Sequence, residues 1–253
     1  GIILNNGTLA LYSGAENRGK IALTDAGTSW FGYSAVENKG LITRMEKVDI
    51  AVTTDKLDTE NYCAAATAFN SSGDSSDTTR VAVQKIDNCS FSATKASAFT
   101  QSYGPLGEIT NSTFTGGYYD EDEYVDYAAV VLTNDTLALM KNCTITNNQS
   151  GGEALYIGFK ATIENIENCT ITGPNGISLR GNGASNQSVV IKNLSADITA
   201  NNGYALTVED TLADIHISGG KYKGSSGVFN VPGTTVISYP EGQTLLKGTD
   251  DYW

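Results

Sequence analysis

Charge is scarce in this chain: Asp, Glu, Lys and Arg fill 17% of its 253 positions, against 40% hydrophobic residues. That balance argues against a disordered segment, which carries strong self-repulsion and has little to bury. Basic residues are scarcest. Sixteen Lys and Arg face 28 Asp and Glu, a net charge of −12, so nucleic acid and anionic membrane surfaces are poor candidates as partners. No run approaches the roughly 20 apolar residues of a membrane-spanning helix, and membrane insertion is not expected. The Ala/Glu/Lys/Leu bias of helical proteins is also missing. In its place stand 27 Gly and many Ser, Thr and Asn. There is one histidine, His216, set between Ile215 and Ile217; with its neighbours inward it should face solvent and lack the orienting partner a general base needs. The cysteines, at 63, 89, 143 and 169, form no CxxC, which removes zinc and thioredoxin chemistry. Gly1 opens the chain without Met or an apolar leader, so it reads as a trimmed piece of something longer.

What is present is a repeat. Six segments share one pattern: Ile86-Asp87-Asn88-Cys89-Ser90-Phe91, Ile109 to Phe114, Met140 to Ile145, Ile166 to Ile171, Ile191 to Ala196 and Ile217 to Tyr222. Their third positions are 88, 111, 142, 168, 193 and 219. A period of about 25 residues means stacked similar units. Inside a unit, positions four and six alternate with Ser or Thr and share one face of a strand. Position one lies an odd number of residues away, so the chain must bend for both ends to point inward. The bend falls on Asn five times and on Gly219 once, the residue types that best tolerate left-handed backbone. These asparagines are expected to stack inside the coils, where burial would keep their Asn-x-Ser/Thr motifs free of glycan.

Two more strand signals follow in each unit, as at Leu155 and Ile157 and at Thr162-Ile163. Three short strands per coil without helices describe an all-β parallel β-helix of about ten coils. Residues 1–80 read as less regular coils or a cap, and 81–253 as regular coils of the same continuous domain. The outward second position holds Lys141, Glu167 and Lys192, alternating in sign as stacked rungs should. The fifth holds Ser90, Thr113, Thr144, Thr170 and Ser195, then Lys221. Cys89, Cys143 and Cys169 fall in the inward fourth column, which predicts buried free thiols. The parallel side chains of Cys143 and Cys169 suit a disulfide poorly.

The repeated Asn at the bend resembles the asparagine ladder of right-handed parallel β-helices of the pectin-lyase-like group, over about residues 81–240. The Gly/Ser/Thr/Tyr style also resembles modules of bacterial cell-surface and secreted proteins. That likeness implies an extracellular or cell-surface location and a role in display or adhesion, with carbohydrate or a host or matrix protein as ligand. The group also holds polysaccharide lyases and hydrolases, but a shared fold does not transfer an activity. Gly-His-Gly does not occur, the one Asp-Asp is Asp250-Asp251, and no arginine lies in Arg-x-Pro-x-x-Arg. An enzyme is therefore the alternative rather than the expectation, and a passive stalk is a third reading.

One coil departs from regularity. Thirteen residues separate Asn142 from Leu155, and Asn193 from Leu206, whereas 19 separate Asn111 from Val130. The six extra residues fall in a segment holding Tyr118, Tyr119, Tyr124 and Tyr127 with Asp120, Glu121, Asp122, Glu123 and Asp126. Four tyrosines and five acids projecting from a compact coil form the candidate ligand site. Aromatic rings stack on sugar faces, and carboxylates take hydroxyls or a hard cation. Asp120 and Asp122 are the candidates for Ca²⁺, without EF-hand spacing; no other cofactor is expected.

Overall fold

The computed structural model describes residues 3–5, 8–12, 19–23, 34–53, 67–73, 82–120, 125–181, 188–209 and 212–242. Among these the chain winds as a parallel β-solenoid with three faces. The first face is a nine-stranded sheet running from Ile3–Asn5 through Ser34–Asn38, Thr67–Ser72, Phe99–Ser102, Val130–Thr133, Glu153–Gly158, Asn175–Arg180 and Tyr204–Glu209 to Gly227–Asn230. It is nine strands deep rather than the ten or so that the period suggested. The other two faces join in one fifteen-stranded sheet, because Ser188–Ala200 and Leu212–Gly224 run through the corner between them without a break. The early strands Ile3–Asn5, Thr8–Tyr12 and Gly19–Leu23 pair in parallel with the next coil, so the stacking includes them.

The interior is built from columns of like residues. On the first face Val36, Phe69, Phe99, Val130, Leu155, Ile177, Leu206 and Phe229 lie in register. The Phe69 and Phe99 rings stack with centroids 4.8 Å apart, and Phe91 and Phe114 do so at 5.0 Å on the third face. Edge-to-face contacts join the two stacks, so four rings share a dense core. Immediately before six of these column residues a buried alanine recurs, at 35, 68, 98, 129, 154 and 205.

The corners correct the expected ladder. Asn88, Asn111, Asn142 and Asn168 have φ of 53°, 51°, 54° and 51°, the left-handed backbone that the change of phase required. Their side chains, however, are exposed. A left-handed residue there sends two successive side chains outward, such as Asp87 and Asn88, before Cys89 turns in. The amides form a ladder on the surface: Asn142 Nδ2 donates to Asn111 Oδ1 at 3.1 Å, and Asn111 Nδ2 to Asp87 Oδ1 at 2.8 Å. Burial therefore does not shield these Asn-x-Ser/Thr motifs.

Asn193 is a second correction. Ile191 lies opposite Ile163 and Leu194 opposite Ile166, and the register then shifts between Glu167 and Cys169 to bring Ala196 opposite Cys169. Asn193 takes no left-handed turn; its Nδ2 donates to Asn165 Oδ1 at 3.0 Å. The slip carries the outer columns with it. Lys141 pairs with Glu167 at 3.0 Å as expected, but Lys192 reaches Glu164 at 2.7 Å instead. Asp197, not Ser195, continues the column of Ser90, Thr113, Thr144 and Thr170 toward Lys221.

Cys89, Cys143 and Cys169 are buried free thiols; Cys63 lies outside the described residues. A hydrogen bond with Cys169, together with burial, pushes the Cys143 thiol far above its ordinary range. His216 is half-buried rather than open to solvent, with Nδ1 3.0 Å from Ser238 Oγ.

Candidate functional site

The irregular coil leaves the solenoid between the third and first faces as an antiparallel hairpin. Tyr118–Asp120 pairs with Val125–Tyr127, placing Tyr118 opposite Tyr127, Tyr119 opposite Asp126 and Asp120 opposite Val125. Its root is tightly held. Gly117 has φ of 103° and donates its N–H to Ala96 O at 2.8 Å. A Cβ at Gly117 would come 2.5 Å from the Asn147 side chain, so both backbone angle and space demand glycine.

Tyr118 does not project as the sequence suggested. It is 6% exposed and packed into the core cluster, with Lys95 Nζ 6.0 Å from its ring centroid. Its ring anchors the hairpin instead of offering a contact face. Tyr119, Asp120, Asp126 and Tyr127 are placed by their backbone on the two strands. Glu121, Asp122, Glu123 and Tyr124 lie outside the described residues. Among the described residues no group of three or more His, Cys, Asp or Glu side chains converges to hold a metal.

Beside the hairpin lies a cluster that motif reading missed. Two residues after Tyr127, the N–H of Ala129 donates to Glu153 O at 3.3 Å, so Glu153 sits on the next rung of the same edge. The Glu153 side chain is 5% exposed, and its Oε1 lies 2.9 Å from Arg180 Nη2. Arg180 Nε in turn pairs with Glu209 Oε2 at 3.0 Å. One guanidinium thus holds two carboxylates drawn from three coils. Tyr156 belongs to the same patch. A Cβ at Gly158 would come 2.6 Å from Tyr156 Cε1, so the ring lies along the strand over a position that only glycine leaves free. Burial pushes the Tyr156 phenol above its ordinary value against the pull of Arg180, and the charge of Glu153 adds to the rise.

Ser178 completes the patch. It stands in register between Tyr156 and Thr207, on the outer side of a strand whose Ile177 and Leu179 are in the core. It is 1% exposed and its hydroxyl has no hydrogen-bond partner. A sequence signal exists for part of the patch: Arg180 and Glu209 are 29 residues apart and in register, whereas Glu153 is in register with Asn175, five positions before Arg180 on the next strand. Indexing the repeat on the Asn corner hides it, because these charges ride on the opposite side of the coil.

A rigid sheet surface carrying an aromatic ring, a guanidinium clamped by acids and an orphan hydroxyl can take hydrogen bonds from a polyhydroxylated ligand and stack against its apolar face. Compared with known proteins, residues 61–222 match the family model described as a right handed beta helix region. No curated protein and no solved structure matches the chain.

Proposed function

The chain belongs to the right-handed β-helix family, and from that premise we propose that it is a binding module for display or adhesion, secreted or held at a bacterial cell surface, whose ligand is carbohydrate. The observation that carries this reading is the rooted hairpin beside Glu153, whose carboxylate reaches along the first face to Arg180, itself paired with Glu209 on the next coil. Six extra residues bring loop entropy and little core of their own, yet the hairpin is fixed by a buried tyrosine and an obligatory glycine. Holding a ligand site on a preformed scaffold lowers the ordering cost of binding. A glycan array run with the wild-type chain, with Tyr119→Ala/Tyr124→Ala and with Tyr156→Ala tests the reading. Loss of the array signal in both variants, with unchanged folding, supports it; binding that survives in both places the site on another face.

Cleavage of a polysaccharide is a second reading, favoured by Glu153 and Glu209 on the two coils that flank Arg180 in one sheet. Glycoside hydrolysis asks one carboxyl to deliver a proton and the other to attack or activate water. Here both are committed to Arg180, which favours binding over turnover. New reducing ends, lost in Glu153→Gln, would establish the enzyme instead.

A further inference from the structure

The outer side of the third face is uncharged over four coils. Asn88 to Thr94, Asn111 to Gly116, Asn142 to Asn147 and Asn168 to Gly173 contain neither acid nor base, and their two aromatic residues, Phe91 and Phe114, are in the core. The other faces differ: Lys85, Glu108, Lys141 and Glu167 stand on the second, and Glu153, Arg180 and Glu209 on the first. The third face presents two columns of hydroxyls instead. Ser90, Thr113, Thr144 and Thr170 form one, and Ser92, Thr115, Thr146 and Thr172 the other, in register without a shift. Asp197 and Lys221 close the first column at one end and Asp49 at the other. Between the columns Phe91, Phe114, Ile145 and Ile171 are fully buried, so each strand is pinned from beneath. Thr113, Thr144 and Thr170 are exposed. Elsewhere surface hydroxyls are engaged within the protein, Thr110 on Asp87 and Thr100 on Asn70. Among the described residues the threonine hydroxyls of these two columns make no such bond.

Such an array has the repeat of a lattice. Neighbouring rungs lie about 4.8 Å apart, and residues two apart on one strand about 6.6 Å. Ice, built on tetrahedral O–H···O bonds of about 2.75 Å, repeats its oxygens at about 4.5 Å along one axis and about 7.3 Å along another. The first spacings differ by about 0.3 Å and the second by about 0.7 Å, less than a hydroxyl travels between χ1 wells. The geometry points to the third face as an ice-binding surface, with its hydroxyls in the places of lattice water and its methyls in the spaces between. An uncharged face on a chain of net charge −12 suits an uncharged lattice. A sugar would want a ring to stack on, and a protein partner an aromatic or Arg anchor; the face has neither. Threonine is stiff at χ1, so the array is ordered before it meets its ligand, which lowers the cost of binding. This inference is independent of the carbohydrate reading, which concerns the hairpin and the first face.

Slow freezing tests it. The partition of the full chain into a growing ice shell is measured, and single ice crystals are observed in a nanolitre osmometer. The wild-type chain should be enriched in the ice, facet the crystals and open a gap between melting and freezing. Thr144→Tyr/Thr170→Tyr, which lifts two rungs off the lattice, should lose all three effects. Thr113→Lys, on the neighbouring rung, should lose them too, and circular dichroism establishes that each variant is folded. Glu108→Gln, on the second face, should keep them. Exclusion of the wild-type chain from ice, with rounded crystals, overturns the inference, as does ice activity that is unaltered in the folded array variants. Adsorption to microcrystalline cellulose or chitin that the same variants lose, without any effect on ice, overturns it in favour of a crystalline polysaccharide.

Discussion

Replacing Asp135 with Asn should stabilise the protein at neutral pH and leave it little changed in acid. Asp135 follows the left-handed Asn134 at the corner between the first and second faces and is 3% exposed. Its Oδ1 accepts the Gly104 N–H at 2.7 Å, while Oδ2 has no hydrogen-bond partner. Burial pushes its pKa from 3.8 up to about 7, against backbone hydrogen bonds from Gly104 and Thr133 that favour the charged form. The folded state therefore holds a proton that the unfolded chain releases. Below pH 3.8 both states are protonated and nothing is lost. Between 3.8 and about 7 only the unfolded chain ionises, and stability falls with rising pH. A rise of roughly 3 units at 1.36 kcal/mol each amounts to about 4 kcal/mol lost by pH 8. The side-chain amide of the Asp135→Asn variant would keep the Gly104 bond through its oxygen and cannot ionise. Urea unfolding of both proteins from pH 4 to 8.5 gives the difference curve, in which contributions of the other acids cancel. The variant should gain steadily across that window, by up to about 4 kcal/mol. A flat difference curve would show that Asp135 is ionised in the fold with a partner supplied by solvent, and would refute the argument.

Three further outcomes follow from the corners, the hairpin root and the core. Asn142→Gly should change the melting temperature little and Asn142→Ala should lower stability by about 1 kcal/mol, because the position needs left-handed backbone and not burial; equal losses in both would restore importance to the amide itself. Gly117→Ala, which strains a φ of 103° and presses on Asn147, should cost about 1–3 kcal/mol. It should also free the hairpin to proteolysis between Tyr118 and Tyr127, and uniform resistance to protease would count against the root described above. A thiol reagent should find Cys89, Cys143 and Cys169 unreactive in the native protein and all four cysteines, Cys63 included, after denaturation without reductant; a lower final count would mean a disulfide.

The repeat, the strand alternation and the need for a left-handed bend were legible from the residues alone, because each is a local property of a few neighbouring positions. Ile86, Asn88, Cys89 and Phe91 declare a change of phase whatever surrounds them. Which way the asparagines point was not legible, since inward and outward turns have the same φ demand and differ only in where the neighbouring coil lies. The slip at Ile191 to Leu194 was hidden for a related reason. Sequence similarity aligned Asn193 with the other bends, but inter-strand hydrogen bonds settle the register, and they respond to the length of every preceding loop. Arg180 and Glu209 belong together because a coil of 29 residues returns them to one register, and Glu153 joins them only by reaching along the face from the start of its own strand. The sequence shows Tyr118 as one of four aromatic residues in an acidic loop; the core beneath that coil decides that it is an anchor. Local chemistry specified the coil, and the lateral packing of one coil on the next decided what each side chain would meet.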